Sequence, residues 1–486
     1  MKTLKFLLKN IKTKAIIGSL NESVSGVEID SRACTEQSLF VATKGAEVDG
    51  HRYIDSAINN GASAVLCETM PEHPIENITY IRVSNSRKAL AHLASAFYDY
   101  PSRELKLIGV TGTNGKTTSC TLLFELLRSM DLNVGLLSTV NHRINDTLIP
   151  STHTTPNPLI INKLMREMRN QSCDYCFMEV SSHGLDQDRV VGLDFDVAVF
   201  NNISRDHLDY HHDFNTYLAA KKRLFDQLKP EALALSNVDD RHSESMVSTC
   251  KAEIQTFALN QPADIKAKIL ESDLNGSLIQ LNQHQLFVRL IGKFNVYNAS
   301  VCYAVAKHLG FDELDILTKL STLQTATGRF EQIRSKSGKL AIVDYSHTPD
   351  ALENILKTLK NILPKSSKLI TVVGCGGDRD KGKRPEMANI ACQYSDQSIF
   401  TSDNPRTEDP NAILKDMEAG VPQHKTHAVL QIENRQAAIR TALQLAQDSD
   451  VVLVAGKGHE DYQIIGTERH HFSDKEEIES FFNLMP

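Results

Sequence analysis

The segment Gly109-Val-Thr-Gly-Thr-Asn-Gly-Lys-Thr-Thr118 combines glycines with one lysine and several hydroxyls. Glycine lets backbone N–H groups approach a phosphate, and a helix that opens at such a loop adds positive potential. Lys116 is placed to neutralise terminal phosphates and the Thr117 hydroxyl to bind magnesium. The strict nucleotide-loop pattern wants glycine where this chain has Val110, but the core Gly112-x-x-Gly-Lys-Thr117 is intact. The chemistry expected is nucleoside triphosphate binding, with Gly112, Thr113, Asn114, Gly115, Lys116, Thr117 and Thr118 as the cradle.

Three further side chains bear on the same chemistry. Glu179 closes the apolar run that begins at Tyr175, where a carboxylate can cap, pair or hold a metal. His207 lies in a His/Asp-rich loop, Asn201 to His211, just beyond another apolar run. Lys221 sits on a predicted helix from about Phe214, with Tyr217, Leu218, Leu224, Phe225 and Leu228 at helical spacing around it. Lys222 is one step off that face. A lysine at the centre of an apolar face either snorkels or is desolvated. Desolvation lowers its pKa, and the neutral amine can add carbon dioxide to become an anionic carbamate ligand.

The elements that must position these groups follow from the patterning. The chain has 486 residues, 41% hydrophobic and 23% charged, which suits about three soluble globular domains. Short strand-like runs end near Pro101; strands are then expected at 105–110, 175–180, 196–200 and 232–236, with helices between. The stretch 251–290 reads as antiparallel. A third strand–helix alternation follows Gly328, with strands at 340–343, 369–373, 398–401 and 451–455. The fold class expected is α/β: a central P-loop-type, mainly parallel sheet with helices on both faces, a C-terminal Rossmann-like α/β domain and a smaller N-terminal α/β domain. The boundaries read as 1–101, 102–328 and 329–486. Ligands of such sheets bind beyond the carboxyl ends of the strands.

Composition narrows the function. The count of 53 Lys+Arg against 60 Asp+Glu gives a net charge of −7, so no broad nucleic-acid-binding face is expected. No run approaches a membrane span, and the basic start of the chain lacks a signal-peptide core. Leu4, Leu7, Leu8 and Ile11 instead fit a short amphipathic helix. Nine scattered cysteines, including Cys173 and Cys176, read as buried thiols of a reducing, cytoplasmic compartment.

The same residues, taken in order, resemble the Mur ligases, ATP-dependent amide-forming enzymes of peptidoglycan synthesis. The likeness runs through Thr111-Gly-Thr-Asn-Gly-Lys-Thr117, Glu179, Asn202 to His207, the Lys221 helix, Gly292 to Asn298, Thr327 to Glu331 and Asp344 to Asp350. It implies that Lys116, Asn295, Arg329 and Asp344 contact ATP. It further implies that Thr117 and Glu179 bind one magnesium, while His207 and carbamylated Lys221 (N6-carboxylysine) hold a second. Lys116, Glu179, His207 and Lys221 are then the catalytic set, and the C-terminal domain closes over the nucleotide.

Within the family the chain is most similar to members that add meso-diaminopimelate to UDP-N-acetylmuramoyl-L-alanyl-D-glutamate. Ser31, Ala46, Glu47, Val48, Thr154, Thr155, Ser181, Gln187 and Arg189 match contacts to the uridine-linked dipeptide. Arg379, Asp403-Asn404-Pro405-Arg406, Gly456 and Glu460 match contacts to diaminopimelate, with Glu460 suited to its ammonium. The role of His153 stays open, as does the acceptor of the attacking amine's proton. A monomer is expected. The alternatives are a lysine-adding sister, a folylpolyglutamate-type ligase, or a P-loop switch that hydrolyses nucleotide to change shape.

Overall fold

A computed structural model describes residues 1–45 and 48–484, without the side chain of Asp209. Ala46 and Glu47, two of the expected dipeptide contacts, lie outside the described residues, as do positions 485 and 486 of the C-terminal segment. The architecture is α/β, as expected, built on three large sheets.

The N-terminal sheet orders Thr13–Ile17, Thr79–Val83, Ala62–Cys67, Ser38–Val41 and Gly26–Glu28. It is parallel except at the Thr13–Ile17 edge. The helix Ser86–Phe97, capped by Asn85, lays Leu90, Leu93 and Ala94 onto the core. At the start of the chain the expected amphipathic helix is a single turn, Leu4–Leu7. Its Leu4 and Lys5 N–H groups donate to Glu22 O and Leu20 O, both at 2.9 Å, so the backbone is committed to tertiary partners there. Leu4, Leu7 and Leu8 are nevertheless buried as their spacing requires.

The central sheet places Tyr175–Glu179, Lys106–Thr111 and Val197–Phe200 side by side, all parallel. Their near-continuous apolar runs are what a parallel strand covered on both faces demands. Leu233–Asn237 and Glu253–Ala258 continue in parallel on one side and Val134–Leu137 on the other. The antiparallel expectation for 251–290 holds for Ile265–Asp273, Gly276–Leu281 and His284–Val288. It fails for Glu253–Ala258, because the chain crosses back through the helix Ser243–Val247 and re-enters parallel. The hairpin Asn141–Ile144/Thr147–Pro150 forms the far edge. The helix Lys116–Arg128 buries Leu122, Leu123, Leu126 and Leu127, each stabilising the core by about 1.5–3 kcal/mol. Met130 lies past the helix end but packs on the same core.

The C-terminal sheet orders Glu331–Arg334, Leu340–Asp344, Val451–Ala455, Leu369–Cys375, Gln397–Ser402 and Val429–Gln431, parallel except at the first. Cys173 and Cys176 are buried and free, and no cysteine pairs among the described residues. No described helix is long and apolar enough to cross a membrane.

Candidate active site

The phosphate loop sits where the parallel strand Lys106–Thr111 gives way to the helix Lys116–Arg128. Val110, which stands in for the missing glycine, is fully buried inside that strand and paired opposite Glu179. The turn itself therefore needs no glycine at 110. Gly115, in contrast, has φ +85°, and a Cβ there would come within 2.8 Å of Asn201 Nδ2 and 2.9 Å of Asn298 Oδ1. The loop is pinned by Thr113 N–H to Asn202 O and Asn114 N–H to Asn202 Oδ1, both 2.9 Å. Lys116 folds back over it, donating to Gly112 O at 2.8 Å and Thr113 O at 2.9 Å.

Thr117 and Glu179 meet at the adjoining strand end. The Thr117 hydroxyl donates to Glu179 Oε2 at 2.9 Å; Glu179 Oε1 accepts from Ser138 Oγ at 2.7 Å and Thr139 N at 2.8 Å. The carboxylate is wholly buried yet multiply hydrogen-bonded, the condition under which a buried charge is tolerated. Hydroxyl and carboxylate oxygens are the donor chemistry that magnesium takes in nucleotide sites. Among the described residues no three His, Cys, Asp or Glu side chains gather as a self-sufficient metal cage. Any ion here would draw its remaining ligands from phosphate and water.

Lys221 is 1% exposed on the helix Phe214–Asp226, among buried Tyr217, Leu224 and Phe225. Its Nζ donates to Gly112 O at 2.9 Å and lies 4.7 Å from the Tyr217 ring centre. Burial, with the Lys116 ammonium adding to it, holds its pKa well below the usual lysine range. Lys222 points outward to Asp226 and Thr249, as its place off the apolar face predicts. His207 has φ +54° and its ring lies 4.8 Å from that of His183 and 6.2 Å from that of Tyr217. Burial pulls its pKa down to about 4, the Asp206 carboxylate opposing. His207 is thus a neutral imidazole, the form that ligates metals.

The C-terminal domain completes this site. Arg329 Nη2 donates to Thr117 Oγ1 at 3.1 Å, and Asn114 Nδ2 donates to Asp350 Oδ2 at 2.9 Å. Asp344 is buried, accepting from Phe330 N at 2.7 Å and Ser346 N at 2.8 Å, and burial raises its pKa. Asn295 and Asn298, on the helix Lys293–His308, join this wall through a 3.2 Å mutual hydrogen bond. A cavity of about 230 Å³ results, lined by Thr113 to Thr118, Glu179, Asn295, Arg329 and Asp344 among others.

Two more cavities share parts of its wall. One of about 380 Å³ is lined by Arg379, Asp403, Asn404, Arg406, Gly456 and Glu460. Arg406 occupies left-handed backbone, φ +53°, which costs about 1 kcal/mol or more. The hairpin Tyr462–Ile465/Glu468–His471 holds it there, through Arg406 N–H to Ile464 O at 3.1 Å and Gly466 N–H to Arg406 O at 2.7 Å. Arg406 Nη1 donates to Gly377 O at 2.8 Å. Pro405 does not line this cavity; its carbonyl packs against Gly377. The other cavity, about 800 Å³, is lined by Thr154, Thr155, Ser181, Arg189, Lys116 and Lys221 among others, with His153 also on its wall. Gln187 is not on that wall but accepts from Arg189 Nη2 at 2.7 Å, fixing its guanidinium. Ser31 and Val48 are not brought to it either: Ser31 is buried in the N-terminal domain, where its carbonyl accepts from Asn60 Nδ2 at 2.9 Å, and Val48 is exposed.

His207 and Tyr345 line all three cavities. Tyr345 was not singled out from the sequence, nor was Lys457. Lys457 is wholly buried and donates to Glu460 Oε2 at 2.9 Å and Asn404 Oδ1 at 3.3 Å. Glu460 is therefore already paired, whereas the sequence left it free for a substrate ammonium. The position of Lys457 between Gly456 and Gly458 was the available signal, since a cation set between glycines approaches a strand-end pocket closely.

Residues 110–306 match the Mur ligase middle domain, residues 328–458 the Mur ligase glutamate ligase domain, and residues 23–98 the Mur ligase family catalytic domain. The chain belongs to the Mur ligase family. It is 47% identical over 477 residues, 98% of this chain and 99% of the relative, to the UDP-N-acetylmuramoyl-L-alanyl-D-glutamate–2,6-diaminopimelate ligase of Bacteroides thetaiotaomicron. It is 48% identical to the same-named protein of Parabacteroides distasonis, over 99% of each chain. A solved structure of a UDP-N-acetylmuramoyl-L-alanyl-D-glutamate–2,6-diaminopimelate ligase superposes with TM-score 0.70 at 34% identity, covering 99% of both chains. MurF from Acinetobacter baumannii, at 19% identity, TM-score 0.67 and 99% of both chains, shares the fold.

Proposed function

We propose that this chain is the ATP-dependent ligase that joins meso-2,6-diaminopimelate to the D-glutamyl γ-carboxylate of UDP-N-acetylmuramoyl-L-alanyl-D-glutamate. The observation that carries the reading is the meeting of three cavities at His207 and Tyr345, one beside the phosphate loop, one lined by Arg379 and Arg406, and one by Thr154, Ser181 and Arg189. The relatives at 47–48% identity are named for this reaction.

Residues 1–101 would bind the uridine end of the substrate, 102–328 ATP, and 329–486 the amino acid. The γ-carboxylate attacks the ATP γ-phosphorus, ADP leaves, and the acyl phosphate is then attacked by the amine with release of phosphate. No enzyme nucleophile is needed. Lys116 stabilises charge on the transferring phosphoryl oxygens, and the three cavities align carboxylate, phosphate and amine. Thr117 and Glu179 would hold one magnesium; His207 and a carbamate on Lys221 would hold a second. When bound, these ions neutralise charge that develops on the phosphoryl group. Arg329 and the Asn114–Asp350 bond keep the cleft closed, which excludes water from a hydrolysable intermediate. Arg379 and Arg406 suit the distal carboxylate of diaminopimelate, which lysine lacks, and would repel an ammonium. A monomer acting in the cytoplasm, where ATP and UDP-linked precursors are available, completes this reading.

The test is phosphate release with each candidate amino acid, with and without the UDP-muramoyl dipeptide. Release that needs both the dipeptide and diaminopimelate is expected. Release on nucleotide alone would favour a hydrolysing switch, and efficient use of lysine a lysine-adding enzyme.

A further inference from the structure

We propose that His347 accepts the proton of the attacking amine, through Nε2, at the junction of the amino-acid and nucleotide cavities. The proposal rests on the ligase reading above and supplies the one role that the motifs leave unfilled. The ring of His347 is half-buried and lines both the 380 Å³ and the 230 Å³ cavity. Its Nδ1 lies 2.9 Å from Tyr345 O. A backbone carbonyl can only accept, so the hydrogen resides on Nδ1 and the neutral ring presents a bare electron pair at Nε2. Nε2 makes no hydrogen bond among the described residues.

The surroundings suit a proton that is received and then passed on. Burial lowers the His347 pKa, so the ring is neutral before the amine arrives. Lys383, whose Nζ donates to His347 O at 2.9 Å, and Arg329 both disfavour a resident proton. Asp206 favours a transient one. The remaining titratable groups that face the ring are His207, His459 and the Tyr345 phenol, whose ring centre is 4.7 Å away. Of the other bases nearby, Glu460 is paired with Lys457, His207 lies against the Lys221 site, and His459 lines the 800 Å³ cavity but not the amino-acid one.

The substrate enters as an ammonium and gives one proton to His347 Nε2. The freed electron pair forms the C–N bond as the C–O bond to phosphate breaks. The imidazolium returns its proton to the departing phosphate, and the surplus proton of the new amide nitrogen leaves to water.

Hydroxylamine separates this step from the one before it, since it is largely neutral near pH 7 and attacks acyl phosphates without a base. His347→Asn keeps a donor toward Tyr345 O and His347→Gln is the second variant; both are read beside the unmodified full-length protein. Hydroxamate formation from the dipeptide and ATP should stay within about twofold, while diaminopimelate addition falls by roughly 10²-fold or more and recovers partly as pH rises from about 7 to about 9. Loss of hydroxamate and amide in step, or amide formation within about tenfold of the unmodified protein near pH 7, would overturn the assignment. Absence of hydroxamate with the unmodified protein would instead count against the ligase reading itself.

Discussion

Lys116 and Lys221 donate to one and the same oxygen, the carbonyl of Gly112, at 2.8 and 2.9 Å. Two ammonium groups on a single acceptor repel; burial lowers the pKa of both, and Lys221 is held well below the usual lysine range by burial and then by Lys116. Carbon dioxide addition would turn that repulsion into attraction, because a carbamate beside Lys116 is an anion beside a cation.

Lys221→Ala should therefore lose most turnover, by roughly 10²–10³-fold, while ATP still binds. A small carboxylic acid in the assay should restore part of it by standing in for the carbamate. Lys222→Ala, which removes a peripheral pair with Asp226 and a bond to Thr249, should be mild, about 0.2–1 kcal/mol in stability. Equal damage from the two substitutions, measured as kcat, would sink the assignment.

Closure across the cleft makes a second test. Arg329→Ala removes the donor to Thr117 Oγ1 and should raise the KM for ATP and lower kcat, with about 1.5–3 kcal/mol lost in kcat/KM. Lys116→Ala should impair acyl-phosphate formation itself. An isolated fragment of residues 102–328 that made amide at the normal rate would contradict this cooperation.

Selection of the amino acid turns on Arg406. Arg406→Ala should raise the KM for diaminopimelate by the equivalent of about 1.5–3 kcal/mol, roughly 10–150-fold, leaving ATP binding nearly unchanged. Lysine should be a very poor substrate for the unmodified protein; isothermal titration and initial rates with each amino acid decide it.

Lys457→Met should be the harshest of the pocket variants, because it leaves the half-buried Glu460 with Asn404 but without its cation, at a cost of about 1.5–3 kcal/mol in stability. The double variant Lys457→Met/Glu460→Gln should recover much of that stability in urea melts but not diaminopimelate binding. A double variant no more stable than Lys457→Met alone would show that the two residues are not coupled.

Stability should also depend on pH through His142, which is 3% exposed in the strand Asn141–Ile144 and whose pKa burial lowers to about 4. Between its unfolded value near 6.5 and about 4, the unfolded chain binds more protons than the folded one, so stability falls as pH falls through that window. The contribution is about 3 kcal/mol at most. His142→Phe should flatten the slope of urea midpoints over the same range; an unchanged slope would assign the effect to other groups.

Much of the fold and the phosphate loop was legible because the determining signals are local. The strand–loop–helix around Gly112 to Thr117 and the apolar faces of the helices that start at Lys116 and Phe214 follow from spacing alone. What was not legible depends on chain segments far apart. Tyr345, His347 and Lys457 gain their meaning only when the C-terminal sheet is set against the phosphate loop. The hairpin that ends in His471 was missed although Gly466, at φ +62°, marks its turn, since its exposed strands carry little apolar alternation. Residues 251–290 show the converse: patterning found the strands but not the crossover that makes Glu253–Ala258 parallel.

His207 and Tyr345 form a wall common to three compartments, and that wall has a consequence for inhibitor design. A molecule anchored beside the phosphate loop can be extended past the two rings into a neighbouring compartment. Linking two weak fragments across the junction then makes the second binding event intramolecular. The useful linker is short and rigid, and its length is set by the width of two side chains.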